Sequence, residues 1–134
     1  MPLPKSRYAD AIALWDAAGL ARPWNPPAAD LALAMRGPSS TVLAALEGER
    51  LLGTAMVGHD GHRGWVYYLA VAEERRREGT GTALMRACEN WLRERGVPAV
   101  KLMVRPTNRE VVGFYERLGY AEDDIVVMSR WLRD

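Results

Sequence analysis

The sequence is poor in the side chains that build disulfide and metal centres. Its 134 residues include one cysteine and two histidines. A lone thiol, Cys88, excludes an internal disulfide and leaves no cysteine-based zinc site. His59 and His62 lie in a glycine-rich stretch, where a solvated turn is expected rather than a metal site. We therefore expect a chemistry that uses no metal.

Long hydrophobic runs and a strong charge of one sign are also missing. No stretch approaches the roughly 20 apolar residues that span a bilayer. Met1–Lys5 has no hydrophobic segment of the signal-peptide type. The net charge of +1 provides no field that would attract nucleic acid or an anionic membrane. These absences predict a cytoplasmic protein with neither a nucleic acid nor a membrane as its partner.

What the sequence does contain is the composition of a globular domain. Hydrophobic residues make up 49% of the chain and charged residues 26%, an ordinary balance for a folded protein. A chain of this length builds one hydrophobic core and is too short for two. Because no repeat, low-complexity segment or linker divides it, we predict a single domain over residues 1–134.

The periodicity of the apolar residues predicts alternating helices and strands in an α/β fold. The predicted helices are Tyr8–Ala18, Asp30–Met35, Gly79–Arg95 and one that a Thr107/Glu110 capping box opens. The predicted strands are Thr41–Leu46, Leu51–Val57, Trp65–Ala72, Val97–Val104 and Ile125–Met128. An edge strand at Pro2–Lys5 would be short or absent, because prolines cannot donate to a ladder.

The sharpest signal for a ligand lies between the third of these strands and the third helix. Residues Arg75–Thr82 read Arg-Arg-Arg-Glu-Gly-Thr-Gly-Thr. The two glycines let the backbone approach a ligand closely, and the amides and dipole of a helix N-terminus attract phosphate. The three arginines add charge for further phosphates. This pattern predicts a phosphate cradle, and the alternative is a plain turn with solvated arginines.

Other phosphate-binding loops fit this stretch less well. It lacks the Gly-Lys-Ser/Thr ending of a P-loop, and Leu84 stands where a dinucleotide fingerprint would have its third glycine. A second candidate stretch, Asn108–Tyr120, carries an aromatic pair on an amphipathic helix, which by itself favours a core role. The hydroxyl of Tyr115 needs a partner if buried, so this residue is either a core anchor or a proton donor.

Together the two stretches resemble the GNAT superfamily of N-acetyltransferases. Arg76–Gly81 is similar to its Arg/Gln-x-x-Gly-x-Gly signature for acetyl-CoA. Asn108–Tyr120 is similar to its second element, in which an Asn precedes a Phe-Tyr pair and a Gly-aromatic pair. The Arg-Pro-Trp-Asn sequence in the loop Leu20–Asn25 resembles a bacterial subfamily of small acetyltransferases. The resemblance covers nearly the whole chain.

The resemblance implies a mixed, mostly antiparallel sheet of about six or seven strands, splayed into a V and flanked by four helices. It implies acetyl-CoA as the co-substrate, lying in this V, and no metal. The residues implied to hold it are the backbone of Leu69, Ala70 and Val71, the loop residues Arg76, Arg77, Glu78, Gly79, Thr80, Gly81 and Thr82, and Asn108 with Tyr115.

The reaction implied is direct attack of a neutral amine on the thioester, without a covalent enzyme intermediate. Tyr115 would protonate the leaving thiolate, and a backbone N–H near Leu69 would bind the oxyanion. Some family members carry a glutamate base on the strand that corresponds to Trp65–Ala72, which has no carboxylate here. The base stays open between an amine that arrives neutral and a water chain reaching Asp60, Tyr67 or Tyr68.

The sequence does not disclose the acceptor. Arg22, Trp24 and Asn25 lie in the loop that borders the acceptor site in this superfamily, and Tyr67 and Tyr68 are further candidates to line it. For Trp24 the alternative is a plug at the end of the core. We predict N-acetyl transfer to a primary amine of a small molecule or protein. The alternative is a non-catalytic acyl-CoA sensor, and the apolar last strand leaves a homodimer open.

Overall fold

The computed structural model describes residues 1–20 and 26–133 of the chain. Residues 1–103 form one compact unit, and the residues from Val104 onward form a second. The helices and strands of the first unit are α1 (Tyr8–Ala17), α2 (Pro27–Ala34), β1 (Ser40–Glu47), β2 (Arg50–His59), β3 (Gly64–Val71), α3 (Thr80–Glu94) and β4 (Val100–Leu102). The predicted alternation of helices and strands is confirmed.

The four strands form one mixed sheet in the order β1-β2-β3-β4. The first three are antiparallel neighbours, whereas β4 runs parallel to β3. Parallel strands need a crossover connection, and α3 supplies it. The helix packs directly on β3, because Leu92 has a carbon 2.5 Å from the position that a Cβ on Gly64 would take. A glycine is therefore required where α3 crosses the start of the strand.

The sheet of the described residues has four strands, so the predicted number of six or seven is wrong. Near the N-terminus only a single bridge joins Pro2 to Leu43 of β1, because prolines have no N–H to donate. The predicted strand Ile125–Met128 is also absent from the described residues. Strand propensity reflects packing on a sheet surface, and these side chains are exposed instead.

A hydrophobic core lies between the sheet and the helices α1 and α2. Trp15 of α1 is fully buried, and its Nε1–H donates to Thr54 Oγ1 on β2 at 2.8 Å. Leu31 and Ala34 of α2 are buried in the same cluster. A buried donor without an acceptor costs about 1–3 kcal/mol. The hydrogen bond therefore explains why a polar side chain is kept in this core.

The inner side of α3 buries Leu84, Met85, Cys88 and Leu92, which recur at helical spacing. Burial, and secondarily the charge of Glu89, raises the pKa of the Cys88 thiol to about 12. The nucleophilic form of a cysteine is the thiolate. Cys88 is therefore a buried residue of the core.

The second unit contains α4 (Arg109–Arg117), which carries the Phe-Tyr pair. The predicted capping box does not form: Asn108 is the N-cap, and no side chain in the described residues caps the helix. The helix begins one position after the point that a cap at Thr107 requires, so Glu110 is out of place for the reciprocal bond. None of the helices in the described ranges is long and apolar enough to cross a bilayer.

Candidate active site

β3 carries a β-bulge near its middle. Two successive residues, Tyr68 and Leu69, lie opposite a single residue of β2, Ala55. Tyr68 has a φ of 51°, in the left-handed region that residues other than glycine rarely adopt. A bulge re-aims side chains and interrupts the regular ladder, and bulges are over-represented next to active sites. The bulge is therefore the first structural indication of a functional site.

Three neighbours hold Tyr68 in this conformation. Its ring stacks on Trp15 with centroids 4.3 Å apart, and its hydroxyl donates to Asp30 Oδ2 at 2.5 Å. Its carbonyl oxygen accepts a hydrogen bond from Thr54 Oγ1 at 3.3 Å. Together these contacts offset a backbone strain of about 1–3 kcal/mol. Asp30 was not predictable from the sequence, because a single acid in a short helix has no characteristic spacing.

β3 continues beyond the end of its pairing with β4, which covers Gly64–Val66. For the rest of β3, no strand in the described residues pairs with this edge. Ala72 N donates to Leu52 O on β2 at 2.8 Å. Because successive N–H groups of a strand point to opposite edges, those of Val71 and Leu69 point toward the open edge. The pairing of β3 with β4 thus ends at Val66, and the edge of β3 beyond it can take an extended ligand as an added strand. The V-shaped opening between the two strands stays a prediction.

Ala70 lies between Leu69 and Val71, and its backbone carbonyl points toward β2 instead of the open edge. Its carbonyl oxygen lies 2.8 Å from the position that a Cβ on Gly53 of β2 would take. Its side chain is buried in the core between the sheet and the helices α1 and α2. Three β3 residues are predicted to hold the co-substrate. Leu69 and Val71 direct backbone N–H groups to the open edge, whereas the backbone of Ala70 is directed toward β2.

α3 begins directly after the glycine-rich loop. Gly79 is its N-cap, with a φ of 86° that glycine adopts without strain. Ala83 N donates to Gly79 O at 3.0 Å, so the amides of Thr80, Gly81 and Thr82 have no acceptor within the helix. Within the described residues no side chain caps this end, and the first turn carries no acid. These amides and the helix dipole are available to an anion.

The open edge of β3 and the start of α3 lie at the same end of the sheet. Gly53 of β2 is the partner of Val71. A Cβ on Gly53 would lie 3.4 Å from Thr80 Cγ2 and 3.0 Å from Leu84 Cδ1. The absence of a side chain at Gly53 thus lets the first turns of α3 settle on β2, beside the open edge.

The three arginines of the loop differ in their surroundings. Arg75 forms ion pairs with Glu47 of β1 and, at 3.3 Å, with Glu78. Arg76 and Arg77 are exposed, and no ion pair within the described part of the chain engages them. Arg75 therefore ties the loop to the sheet, and the expectation that the arginines serve phosphates stays a prediction.

The residues considered as a proton relay are not equivalent. Asp60 Oδ1 accepts hydrogen bonds from Arg63 N at 2.8 Å and His62 N at 2.9 Å. These bonds lower the pKa of Asp60, which makes its carboxylate a weaker base. Tyr67 is 42% exposed and stacks with Trp65. Burial, and secondarily the charge of Asp60, raises the pKa of Tyr67, which keeps its hydroxyl protonated.

Tyr115 lies in the second unit, within a small aromatic cluster. Its ring meets Phe114 edge-on with centroids 5.1 Å apart, and Tyr120 edge-on at 5.8 Å. These contacts hold the tyrosine ring in place. Asn108 is exposed at the start of the same helix. The roles predicted for Tyr115 and Asn108 stay predictions.

Two expectations concern other parts of the chain. Arg22, Trp24 and Asn25 lie outside the described residues, so the acceptor loop stays a prediction. His59 is the last residue of β2, and His62 lies in the turn that follows, where Gly61 N donates to His59 Nδ1 at 3.2 Å. The described side chains include no group of three or more His, Cys, Asp or Glu that could hold a metal ion.

Known proteins share both the sequence pattern and the fold. Residues 9–120 match the model of the "Acetyltransferase (GNAT) family". A structure of AAC(6')-Iy in complex with the bisubstrate analogue CoA-S-monomethyl-acetylneamine has a TM-score of 0.83 at 16% identity, covering 98% of this chain and 95% of that one. A putative acetyltransferase from Agrobacterium tumefaciens has a TM-score of 0.82 at 18% identity, covering 98% of each chain.

A transcriptional regulator from Bacillus halodurans has a TM-score of 0.81 at 16% identity, covering 98% of this chain and 97% of that one. Structural likeness at such low identity establishes the fold alone. The subfamily with the Arg-Pro-Trp-Asn loop stays a prediction. The sequence match, by contrast, extends from α1 to Tyr120 and includes the loop, α3 and α4. On that match, the chain belongs to the acetyltransferase (GNAT) family.

Proposed function

We propose that the protein transfers the acetyl group of acetyl-CoA directly to a primary amine of a small molecule or a protein. The observation that best supports this is the open edge of β3 beside the uncapped N-terminus of α3. Acetyl-CoA has an extended arm with amide groups, joined to a pyrophosphate. The arm would pair with Leu69 and Val71, and the pyrophosphate would accept hydrogen bonds from the amides of Thr80–Thr82.

The charged residues of the loop fit the same ligand. Arg76 and Arg77 are exposed and would supply charge to the phosphates. The carboxylate of Glu78 is engaged by Arg75 at 3.3 Å, which reduces its repulsion of an anion, while its backbone remains part of the cradle. We propose that Asn108 binds the pantetheine amides, a role that rests on the sequence pattern.

The chemical step needs an oxyanion donor, a proton donor and a neutral amine. We propose the backbone N–H of Leu69 as the oxyanion donor, because it points to the open edge next to the bulge. Tyr115 would protonate the leaving thiolate. Asp30 is proposed as a positioning residue that acts through Tyr68, since its 2.5 Å hydrogen bond holds the bulge that directs Leu69. No base is assigned, because the carboxylate of Asp60 already accepts hydrogen bonds from backbone N–H groups of its own turn.

The acceptor class is the least constrained part of the proposal. AAC(6')-Iy is bound to an acetylneamine analogue, so aminoglycosides belong among the amines to be tested. Tyr67 and Tyr68 are proposed to line the acceptor side, together with Arg22, Trp24 and Asn25. A cytoplasmic location, a single domain and the exclusion of nucleic acid and membrane partners stay predictions. We also propose that two copies associate as a homodimer.

The alternative function is a non-catalytic acyl-CoA sensor on the same fold. A transcriptional regulator with this fold is the observation that keeps it open. The two functions differ in one measurable property: the sensor binds acetyl-CoA without turnover on any amine. The lack of an assigned general base is compatible with both functions.

The test is calorimetric titration with acetyl-CoA, followed by a screen of amines for CoA release with a thiol reagent. Cys88 is buried and its pKa is raised to about 12, so it will add little background to the release assay. Gly81→Trp, in the first turn of α3, is expected to abolish acetyl-CoA binding by filling the cradle. The matched control is Asn90→Trp at an exposed position of the same helix.

Each outcome of this test has a defined meaning. Binding with turnover supports the enzyme and names its acceptor class. Binding that persists in Gly81→Trp would remove the pyrophosphate from the α3 N-terminus. No binding by the unaltered protein would overturn the proposed function.

A further inference from the structure

Two ion pairs join the β1–β2 hairpin to the loop that precedes α3. Glu47 and Arg50 lie opposite each other at the end of the hairpin. Glu47 pairs with Arg75, and Arg50 pairs with Glu74. The hairpin thus contributes one acid and one base, and the short turn Glu73–Arg75 contributes the complementary base and acid. These two ion pairs are called the hairpin brace below.

Arg75 is the most enclosed of the four side chains in the hairpin brace. Its side chain is 22% exposed, whereas that of Glu47 is 65% exposed. Its guanidinium lies between the carboxylate of Glu47 and that of Glu78, which is 3.3 Å away. Exposed ion pairs contribute little to the free energy of unfolding, because water screens the charges. The brace is therefore better suited to fixing the loop than to stabilising the fold.

The loop between the hairpin brace and α3 contains an unfavourable backbone conformation. Arg77 has a φ of 67°, in the left-handed region that residues with a Cβ rarely adopt. Such a conformation persists only where the surrounding structure determines it. The brace holds the chain before this residue at Glu74 and Arg75, and α3 holds it from Thr80 onward. The left-handed turn thus lies between two anchored points.

We propose that the hairpin brace positions the loop for the pyrophosphate, so that Glu47 and Arg50 act on acetyl-CoA binding through their partners in the loop. Anchoring the chain before Arg77 sets the direction of the backbone amides that follow toward α3. Successive amides in such a turn form a concave site for an anion. Glu47 and Arg50 are thus positioning residues, and this role rests on the proposed function.

The sign of one substitution distinguishes this role from a purely electrostatic one. By charge alone, Glu47→Gln removes an acid near an anionic ligand and would raise the affinity. It would also raise the affinity if it released Arg75 to bind a phosphate. The brace requires the opposite result, because the loop loses its anchor. We expect Glu47→Gln to raise the dissociation constant of CoA about three- to fivefold, measured by calorimetry at low ionic strength.

The matched control is Glu49→Gln, which removes the same charge from an exposed position of the same hairpin. It is expected to leave the dissociation constant unchanged or slightly lower. Glu74→Gln breaks the other ion pair and should weaken binding like Glu47→Gln, although it too removes an acid. Thermal unfolding midpoints of all three variants should stay within about 4 °C of the unaltered protein, since exposed ion pairs add little stability.

A double-mutant cycle tests whether Glu47 acts through Arg75. Arg75→Gln also breaks the brace and leaves the carboxylate of Glu78 without its ion pair, so it should weaken CoA binding at least as much. In the Arg75→Gln background, Glu47→Gln has no anchor left to remove. There it is expected to leave the affinity unchanged or to raise it slightly, because only the loss of an acid remains.

The conformation of the loop is measured without any ligand by amide hydrogen exchange. Arg75 N donates to Ala72 O at 2.8 Å, and Arg76 N donates to Glu73 O at 3.3 Å. The exchange rates of these two amides therefore report how firmly the turn is held. Both rates are expected to rise about three- to fivefold in Glu47→Gln and to stay unchanged in Glu49→Gln.

Three results would overturn this inference alone, with CoA still bound by the unaltered protein. The first is Glu47→Gln binding CoA as tightly as the unaltered protein or more tightly. The second is a loss of affinity on Glu47→Gln that is equal with and without Arg75. The third is exchange at Arg75 and Arg76 that Glu47→Gln leaves unchanged. An unaltered protein that does not bind CoA would instead overturn the proposed function, whatever the exchange rates show.

Discussion

Tyr68 adopts a left-handed backbone conformation inside a strand, with a φ of 51°. An isolated tyrosine would avoid this conformation, because its Cβ crowds the following carbonyl oxygen. Here the Trp15 ring and the Asp30 carboxylate hold both the ring and the hydroxyl of Tyr68. The consequence extends beyond the tyrosine, since the bulge determines which edge of β3 the amide of Leu69 faces.

Removing the carboxylate that holds Tyr68 should therefore affect stability and rate together. For Asp30→Ala we expect the free energy of unfolding to fall by about 1–3 kcal/mol. We expect kcat to fall about 10- to 100-fold through misplacement of the oxyanion donor, with acetyl-CoA affinity nearly unchanged. Urea unfolding, steady-state kinetics and calorimetry measure the three quantities, with Asp10→Ala at an exposed position of α1 as the control. A stability loss at unchanged kcat would make Asp30 purely structural.

A second prediction at the residue scale concerns the proton donor. Tyr115→Phe keeps the aromatic cluster with Phe114 and Tyr120 but removes the hydroxyl. We expect kcat to fall by about 100-fold or more while acetyl-CoA affinity stays the same. Tyr120→Phe is the matched control, because it removes a hydroxyl from the same cluster. If the two variants had equal rates, water or another group would protonate the thiolate.

At the scale of the element, α3 combines two functions along its length. Its buried side, including Cys88, packs the helix on the sheet, and the amides of its first turn are proposed to bind an anion. An acid in that first turn would normally stabilise a helix, yet no acid is present there. An anionic ligand bound at this end of the helix would account for the absence of an acid from the first turn.

Stability and affinity should therefore change in opposite directions when an acid is introduced. For Thr82→Asp we expect the free energy of unfolding to rise by about 0.3–1 kcal/mol. We expect acetyl-CoA affinity to fall on the order of tenfold by charge repulsion. Thermal unfolding and calorimetry make the comparison, with Asn90→Asp farther along α3 as the control. Unchanged affinity would place the phosphates elsewhere.

Cys88 makes a pH-dependent contribution to the stability of the same helix. Its pKa rises from the ordinary 9.0 to about 12 on folding. The native state therefore retains a proton that the unfolded chain releases. The contribution is complete below pH 9 and is lost as the pH rises toward 12, at up to about 1.4 kcal/mol per unit. In urea unfolding over this range, Cys88→Ala should show a shallower decline than the unaltered protein, and equal slopes would contradict the assignment.

At the scale of the whole molecule, the net charge of +1 provides little long-range attraction for a polyanion. Selectivity for the proposed phosphate ligand must therefore come from local geometry, namely the amides of the first turn of α3 and the exposed Arg76 and Arg77. A ligand that uses only one part of the site should then bind weakly. One that also has an extended arm for the edge of β3 should bind tightly.

The corresponding prediction is a selective thermal shift. CoA at about 100 times its dissociation constant should stabilise the folded state by about 2.7 kcal/mol. ATP and NAD at the same concentration should produce little shift, because they have phosphates but no pantetheine arm. Equal protection by ATP would indicate a nucleotide site and would contradict the role proposed for Leu69 and Val71.

The local features of this protein were predictable from the sequence because they depend on local physics. Apolar spacing located α1 and α3, and short apolar runs located β1 and β2, to within a few residues. The glycine-rich loop was predictable for the same reason, since a left-handed N-cap at Gly79 requires glycine. The family pattern then linked this loop with α4.

Other features were decided by contacts between residues distant in the chain. Asp30 meets Tyr68 across 38 positions, and Arg75 meets Glu47 across 28, so neither pairing has a signature in spacing. The predicted strand at Ile125–Met128 failed because strand propensity becomes a strand only when another strand supplies the hydrogen bonds. The sequence by itself determined the order of the elements and the glycine-rich loop that precedes α3. The tertiary structure alone decided which strands pair, which arginine forms ion pairs with carboxylates, and which contacts stabilise the bulge in β3.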